Sequence, residues 1–487
     1  MARIGSAAFT GPRRDSSPTD NPWYTRASLS DSPHIMLKRL FKLLSSSPSS
    51  SQATITRQEH PIELKQLSPA ATKVCSQLQQ AGYQAYIVGG GIRDSLLQTK
   101  PKDFDVATSA TPEQVRQVFR NARIIGRRFK IVHVRFGREV IEVTTFRGHH
   151  EQGKAREAVQ SEQGLLLRDN VYGDIESDAI RRDFTINALY YDPTTQTLID
   201  FTQGLRDIES RTLRIIGDPS ERYREDPVRM LRAARFAAKL GFDLAPSTAE
   251  PIYQLGELLD HIPSARLFEE VLKLMLGGCA TATFTSLEKY DLLRHLFPGV
   301  SPLVDASAFN RKLIDLVCVN TDKRIRQGKR VTPAFIFAAF LWLPLQAQIR
   351  HLTQNGTKIG EAKNTAISGV IAQQLVRTAI PKRFLIPMRD IWFLQHGLER
   401  RPGKRCFATL EHQRFRAAYD FLLLREDAGE NHNGAGTWWT EFQHADEARQ
   451  QELLESLGQQ SPQNGDPASE SKRRPRRRRP RKAPPKE

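Results

Sequence analysis

The chain has 487 residues, 39% of them hydrophobic, and carries 72 Lys and Arg against 54 Asp and Glu, a formal net charge of +18. That length and apolar content can bury a large core and suit more than one domain, which excludes a wholly disordered chain. The positive balance points to a polyanion as partner, because each phosphate neutralised by a cation releases condensed counterions, and nucleic acid is the first expectation.

From the N-terminus, residues 1–60 are rich in Ser and Pro and read as a disordered extension. Arg3, Arg13 and Arg14 are not followed by an apolar stretch, so this is not a secretory signal. Met36 opens a short basic amphipathic stretch through Leu44 that could make weak contact with a membrane surface or a partner; translation starting at Met36 is an alternative. A helical pattern from Ser68 (Val74, Leu78, Ala81) stops at Gly82. Tyr83 to Val88 then reads as a strand running into the glycine turn Gly89-Gly90-Gly91-Ile92-Arg93-Asp94. Next comes Lys102-Asp103-Phe104-Asp105-Val106. If Phe104 lies on a strand, Asp103 and Asp105 share one face.

Thr111 as N-cap and Pro112 at the first helical position open a helix. Residues 128–136 alternate, and Val140 to Thr144 is a β-branched strand that carries Glu142. Strands mixed with short helices over residues 61–210 indicate an α+β unit, and from about Leu213 onward only helical periodicity is expected. Asp226 as N-cap, Pro227 and a closing Gly241 define a helix with Met230, Ala233, Ala237 and Leu240 as its buried stripe. The longest apolar run, Phe335 to Leu343, is too short to cross a bilayer and suits a buried helix. Cys75, Cys279, Cys318 and Cys406 match no metal-ligand spacing and are expected as free thiols in a reducing compartment, the cytoplasm. The last residues, Lys472 to Lys482, form an arginine run broken by prolines that cannot pack and reads as a basic tail for phosphate contact.

Two convergent acids repel each other and persist most easily around a divalent cation; an open oxygen-lined site suits magnesium. A glycine turn leaves backbone N–H groups free for phosphate oxygens, and Arg93 adds a charge-assisted donor, so the pair reads as metal plus triphosphate. Glu142 is a candidate third carboxylate, with an ordinary edge-strand Glu as the bland alternative. In Ala179 to Leu189, Arg182 is assigned to phosphate or ribose, and Asp183 to a ribose hydroxyl, a metal, the nucleophile's proton or simply a helix cap. Arg229 and Arg232, three apart, could face a base edge or phosphate, or pair with neighbouring acids.

Taken in this order, the motifs over about residues 60–290 resemble the class II nucleotidyltransferases, the tRNA CCA-adding enzymes and bacterial poly(A) polymerases. Gly89-Gly90 with Arg93-Asp94 is similar to their first motif, Asp103 and Asp105 to their metal-binding pair, Arg181 to Ala188 to their ribose- and nucleotide-contacting motif, and Glu225 to Arg229 to their base-selecting motif. Ile125 to Phe136 resembles the signature of the poly(A) polymerases, and Ile386 to Trp392, Gly403-Lys404-Arg405 and Phe415 to Asp420 their arginine-rich C-terminal region. The resemblance implies an α+β fold: a polymerase-beta-like head with a mixed sheet (61–210), then an all-α neck (211–275), a helical body with the arginine-rich region (276–455) and a disordered basic tail (456–487).

It further implies template-independent addition of AMP from ATP to single-stranded RNA 3′ ends, promoting decay alongside RNA-decay proteins. Two magnesium ions would be held by Asp103 and Asp105, with Asp183 or Glu142 as the third acid and Asp103, Asp105 and Asp183 as catalytic residues. Gly90 and Arg93 would meet the triphosphate, Asp226 and Arg229 would read adenine, and Arg182 and Arg232 would support the nucleotide. Lys404 and Arg405, with tail residues Arg473, Arg474, Arg476, Arg477, Arg478 and Arg479, would hold RNA. The alternatives are a tRNA CCA-adding enzyme, and an RNA-binding regulator on a dead head that would need a lost carboxylate or phosphate arginine; every such position is filled.

Overall fold

The computed structural model describes residues 53–56, 59–126, 130–148, 159–160, 166–168 and 171–459. Within the signature segment, residues 127–129 lie outside these, as do the 36–44 stretch and the basic tail with Arg473, Arg474 and Arg476 to Arg479. The chain separates into two units, Met1–Pro298 with Val376–Ala379, and Gly299–Leu375 with Ile380–Glu487.

The first unit is built on an eight-stranded sheet in the order β1-β10-β9-β2-β3-β6-β5-β4. The strands are β1 (Ala53–Ile55), β2 (Ala85–Val88), β3 (Asp105–Thr108), β4 (Ala122–Ile125), β5 (Ile131–Phe136), β6 (Glu139–Thr145), β9 (Leu189–Asp192) and β10 (Thr197–Asp200), while β7 (Val159–Gln160) and β8 (Leu166–Arg168) pair separately. Only β3 and β6 run parallel within the large sheet. Their connection passes through the Pro112–Val118 helix, which Thr111 starts with a capping box and Pro112 at its first turn. Ser68 caps the Pro69–Gln80 helix through Ala70 and Ala71, and Val74, Cys75 and Leu78 form its buried face. Val88, Ala107, Phe146, Ala179, Ala188 and Tyr190 close into a core cluster beneath the site. The helices of this unit that follow include Pro219–Glu225, Val228–Leu240, Ser264–Met275 and Ala280–Lys289.

Several elements differ from the sequence expectation, each for a physical reason. The extension ends sooner than residue 60: Ala53–Ile55 pairs antiparallel with β10, burying Ile55 and His60. Three residues are too short to show a period, so their partner strand decides. After Leu213 the chain is not purely helical, because Thr212–Leu213 and Asp243–Leu244 form a two-stranded parallel pair. Along Val228–Leu240 the buried set is Val228, Met230, Leu231, Ala233, Ala234 and Phe236, with Ala237 and Leu240 only half-buried. Asp226 ends the Pro219–Glu225 helix rather than simply capping the next, although its Oδ1 does accept the Val228 N–H at 3.3 Å.

The second unit is helical throughout its described residues. The apolar run 335–343 is buried as expected, but it is divided between Pro333–Phe340 and Trp342–Gln354, with the break at Leu341. Trp392 donates to the Ala338 carbonyl at 2.9 Å and Trp439 to the Leu398 carbonyl at 2.8 Å, so both indoles lie in the core without a lost hydrogen bond. Arg425, 2% exposed, sits over the Trp342 ring and binds Glu399 and Glu430, each at 2.7 Å. Burial pushes Glu430 up, but hydrogen bonds from His432 and Arg425 more than reverse this and hold its carboxyl at about 2. The helix Glu447–Gln459 runs past residue 456, where the tail was expected to begin. All four cysteines are free thiols, and among the described residues no helix is long and apolar enough to cross a membrane.

Candidate active site

The glycine turn is the junction of β2 with the short helix Gly90–Leu96. Gly89 stands at φ +80°, which a side chain would strain, and reverses the chain so that the helix begins one residue later. At Gly91 a Cβ would lie 2.7 Å from the Phe104 ring and 3.1 Å from the Asp103 carbonyl, so only glycine lets the acidic segment pack against the turn. That packing also explains why Phe104 is not on the strand. β3 starts at Asp105, and Asp103 precedes it with its side chain 74% exposed.

Asp105 is half-buried at the head of β3, paired in parallel register with Glu142 on β6, so the two carboxylates leave one face of the sheet side by side. Burial pushes the Asp105 carboxyl up, Glu142 and Asp103 push it further, and Arg182 opposes them, leaving it at about 6. Arg182 Nη1 and Asp105 Oδ2 lie 3.8 and 4.0 Å from the position a Gly89 Cβ would take, so both converge on the turn. Arg182 is fixed from behind by Asp178 at 3.0 Å and by the Tyr190 hydroxyl at 2.9 Å, and despite its burial these partners raise its pKa. His133 on β5 reaches Glu142 at 3.3 Å.

Asp183 is placed differently from an acid facing a metal. Its Oδ1 accepts from the Phe184 N–H and the Asn187 amide, and its Oδ2 from Arg232 Nε and Nη2 at 2.8 and 2.5 Å. Burial raises Asp183, but the charge of Arg232 and these hydrogen bonds bring it down to about 2. Arg93 likewise lies behind the turn. Its side chain is 3% exposed and bonded to Asp94 at 2.6 Å and to Asn187 at 2.7 Å. The Phe236 ring carries the guanidinium groups of Arg93, Arg232 and Arg235 at 5.3, 5.3 and 4.6 Å, and so joins the turn to the Val228–Leu240 helix.

Arg229 binds Glu225 and the Arg222 carbonyl, and Asp226 is held by Arg266 at 2.7 Å. Burial, with crowding by Arg147, Arg222 and Arg229, lowers Arg181 to about 10, and burial with crowding by Arg229 lowers Arg222 to about 10. Sequence reasoning missed Arg266, Asp178, Tyr190 and Arg222 as partners. Arg266 lies 40 positions from Asp226 with no local signal, whereas Asp178 stands four residues before Arg182, a spacing that marks helix neighbours. Lys404 and Arg405 are exposed in the second unit.

A mixed sheet that sets Asp105 and Glu142 side by side, with Asp103 just before β3 and Arg182 converging with Asp105 on a glycine turn, defines the nucleotidyltransferase class with a polymerase-beta-like head. Residues 85–214 match the poly A polymerase head domain, 241–303 the probable RNA and SrmB- binding site of polymerase A, and 355–483 the polymerase A arginine-rich C-terminus. The chain is 47% identical to poly(A) polymerase I of Salmonella typhimurium, covering 88% of this chain and 92% of that one. It is 44% identical to poly(A) polymerase I of Haemophilus influenzae over 82% and 90%. This chain belongs to the poly(A) polymerase I family. A CCA-adding enzyme of Bacillus velezensis is 36% identical, over 50% of this chain and 60% of that one. Among solved structures, an apo tRNA-processing enzyme superposes with a TM-score of 0.53 at 22% identity, over 80% and 96% of the two chains, a likeness of fold.

Proposed function

We propose that the site performs template-independent adenylyl transfer: the RNA 3′-hydroxyl oxygen bonds to the α-phosphorus of ATP as the bond to the β-phosphate oxygen breaks, releasing pyrophosphate. The observation that carries this is the parallel register that sets the Asp105 and Glu142 carboxylates side by side next to the glycine turn, a pair of like charges that an added cation relieves.

The donor set fits a hard divalent ion. The Asp105 and Glu142 carboxylates stand side by side in register and Asp103 lies just before β3, while among the described residues no three His, Cys, Asp or Glu are grouped so as to hold an ion by themselves, which leaves its coordination to be completed by substrate and water. Magnesium is commonly held in that manner, by one or two carboxylates plus substrate phosphates. Asp103 and Asp105, with Glu142 alongside as third acid, would hold two magnesium ions, which when bound neutralise the triphosphate and acidify the attacking hydroxyl.

The chain's own groups do the positioning. Gly90 offers backbone without a side chain at the helix start, and Arg182, braced by Asp178 and Tyr190, meets the phosphate or ribose. Asp183, saturated by Arg232 and Asn187, and Arg93, buried behind the turn, act by holding that surface in place. Asp226, held by Arg266, and Arg229, held by Glu225 and the Arg222 carbonyl, would read the adenine edge. Residues 61–210 serve as head, 211–275 as neck and 276–455 as body, with residues 472–482 gripping single-stranded RNA in a cytoplasmic decay pathway.

The test is extension of a 5′-labelled unstructured RNA with magnesium and each NTP separately, beside Asp105→Ala. A long ladder with ATP alone, lost in the variant, is expected. Extension confined to tRNA ends and needing CTP would replace the reading with a CCA-adding enzyme, and no extension would leave an RNA-binding protein.

A further inference from the structure

On the Lys382–Arg400 helix of the second unit, Met388, Ile391, Trp392, Gln395 and Leu398 are buried, so this helix is anchored along one side. The opposite side is exposed at Lys382, Ile386, Arg389, Phe393, His396 and Arg400, a spacing of four and three residues that aligns them along one side of a helix with Pro387 in its interior. At 1.5 Å per residue that line is about 27 Å long. Two of its members are unusual surface residues: Ile386 is 63% exposed and Phe393 49% exposed. The Arg389 guanidinium lies 5.9 Å from the Phe393 ring.

The cations of this line differ from other surface cations of the same unit. Arg416 is tied to Asp420 at 3.0 Å and Arg449 to Glu441 at 2.7 Å. Lys382, Arg389 and Arg400, together with the exposed Arg383 beside the line, whose guanidinium lies 5.0 Å from the Phe384 ring, are in no ion pair among the described residues, and the nearby Glu399 is already engaged by Arg425. His396 is lowered by burial and further by Lys363 and Arg400, which marks the local potential as positive. An exposed aromatic ring set among cations that have no ion pair, along one side of a helix, is the chemistry of a single-strand platform, where bases stack and phosphates meet the cations.

We propose that the Lys382–Arg400 face binds single-stranded RNA, with Phe393 stacking a base and Lys382, Arg383, Arg389 and Arg400 contacting phosphates. This rests on the RNA-extension reading but concerns a separate place in the chain. The length of the line accommodates about four nucleotides, the lower end of single-strand site sizes.

The full-length protein is tested by fluorescence anisotropy with labelled A20, U20 and a 20-base-pair RNA duplex. Phe393→Ala should weaken A20 about tenfold, weaken U20 less because pyrimidines stack less, and leave the duplex unchanged, while Phe393→Tyr restores A20 binding. A combined Arg383→Gln, Arg389→Gln and Arg400→Gln variant should lower the slope of log affinity against log salt by about 2, at about 0.7 for each phosphate contact on a single strand. All these side chains are exposed, and circular dichroism with an unchanged melting midpoint checks that each variant is folded. Unchanged A20 affinity and salt slope in folded variants would overturn the proposal, leaving this face to a protein partner, and so would an equal loss for A20 and duplex. If the unaltered protein binds A20 but does not extend RNA with ATP, the functional reading fails and this one stands.

Discussion

In the first unit Arg93, Arg182, Arg222, Arg229 and Arg232 are each locked to a carboxylate, a carbonyl or an amide oxygen at 2.5 to 3.0 Å. Along the Lys382–Arg400 helix of the second, four cations stand exposed with no ion pair among the described residues. The same side chain serves two ends. Held by a partner, a guanidinium has one position and can orient one phosphate or one base; left free, it adapts to a polymer that must slide by a nucleotide after every addition. Arg425 shows that the second unit can also lock an arginine where packing requires it. The contrast is therefore between jobs and not between domains.

The sharpest way to break this contrast is to remove charge at the fixed end. Asp105→Asn should lower AMP addition by about 10³-fold or more in primer extension, with RNA affinity within about twofold. Retained activity within tenfold would dissolve the fixed site. Next, Asp183→Ala leaves Arg232 without its partner and should cost about 3 kcal/mol of stability in urea unfolding, whereas Arg389→Ala should stay within about 0.5 kcal/mol. Equal costs would mean that the two sets of arginines are not held differently.

Deleting residues 472–487 should weaken RNA binding about tenfold at 0.15 M salt and flatten its salt dependence, with single-nucleotide addition at saturating RNA unaffected. An unaltered slope would remove the tail from the adaptable set. The smallest effect concerns the locked arginine of the second unit. Glu430 is held at about 2 when folded, so its contribution is complete above the unfolded carboxyl's value of about 4.3 and is lost as pH falls toward 2. The difference in melting midpoint between the parent chain and Glu430→Gln should shrink by a few degrees over that window, and a constant difference would deny the coupling.

What was legible in the sequence was local. Thr111 and Pro112 start a helix because their own backbone and side chain satisfy its first turn, and the β-branched residues 140–144 form β6 because they fit a pleated, half-buried surface. The glycine turn and the Asp-x-Asp spacing were legible for the same reason. The pairings made across long stretches of chain were not legible: Ala53 with Asp200, Asp226 with Arg266, Asp183 with Arg232. Asp183 shows the cost. Its place between two arginines and an apolar segment reads as reactive, yet the Val228–Leu240 helix brings Arg232 to it and fills one of its oxygens. For Glu142 the sequence leaves a third carboxylate and an ordinary edge-strand acid both open, and the parallel register is what sets it beside Asp105.

The missing side chain at Gly91 has a further consequence. With the Phe104 ring seated where a methyl would otherwise be, the start of the Gly90–Leu96 helix and the segment bearing Asp103 are in direct contact. The position of the turn and that of Asp103 are therefore tied, and a side chain at residue 91 would displace one of them from the other.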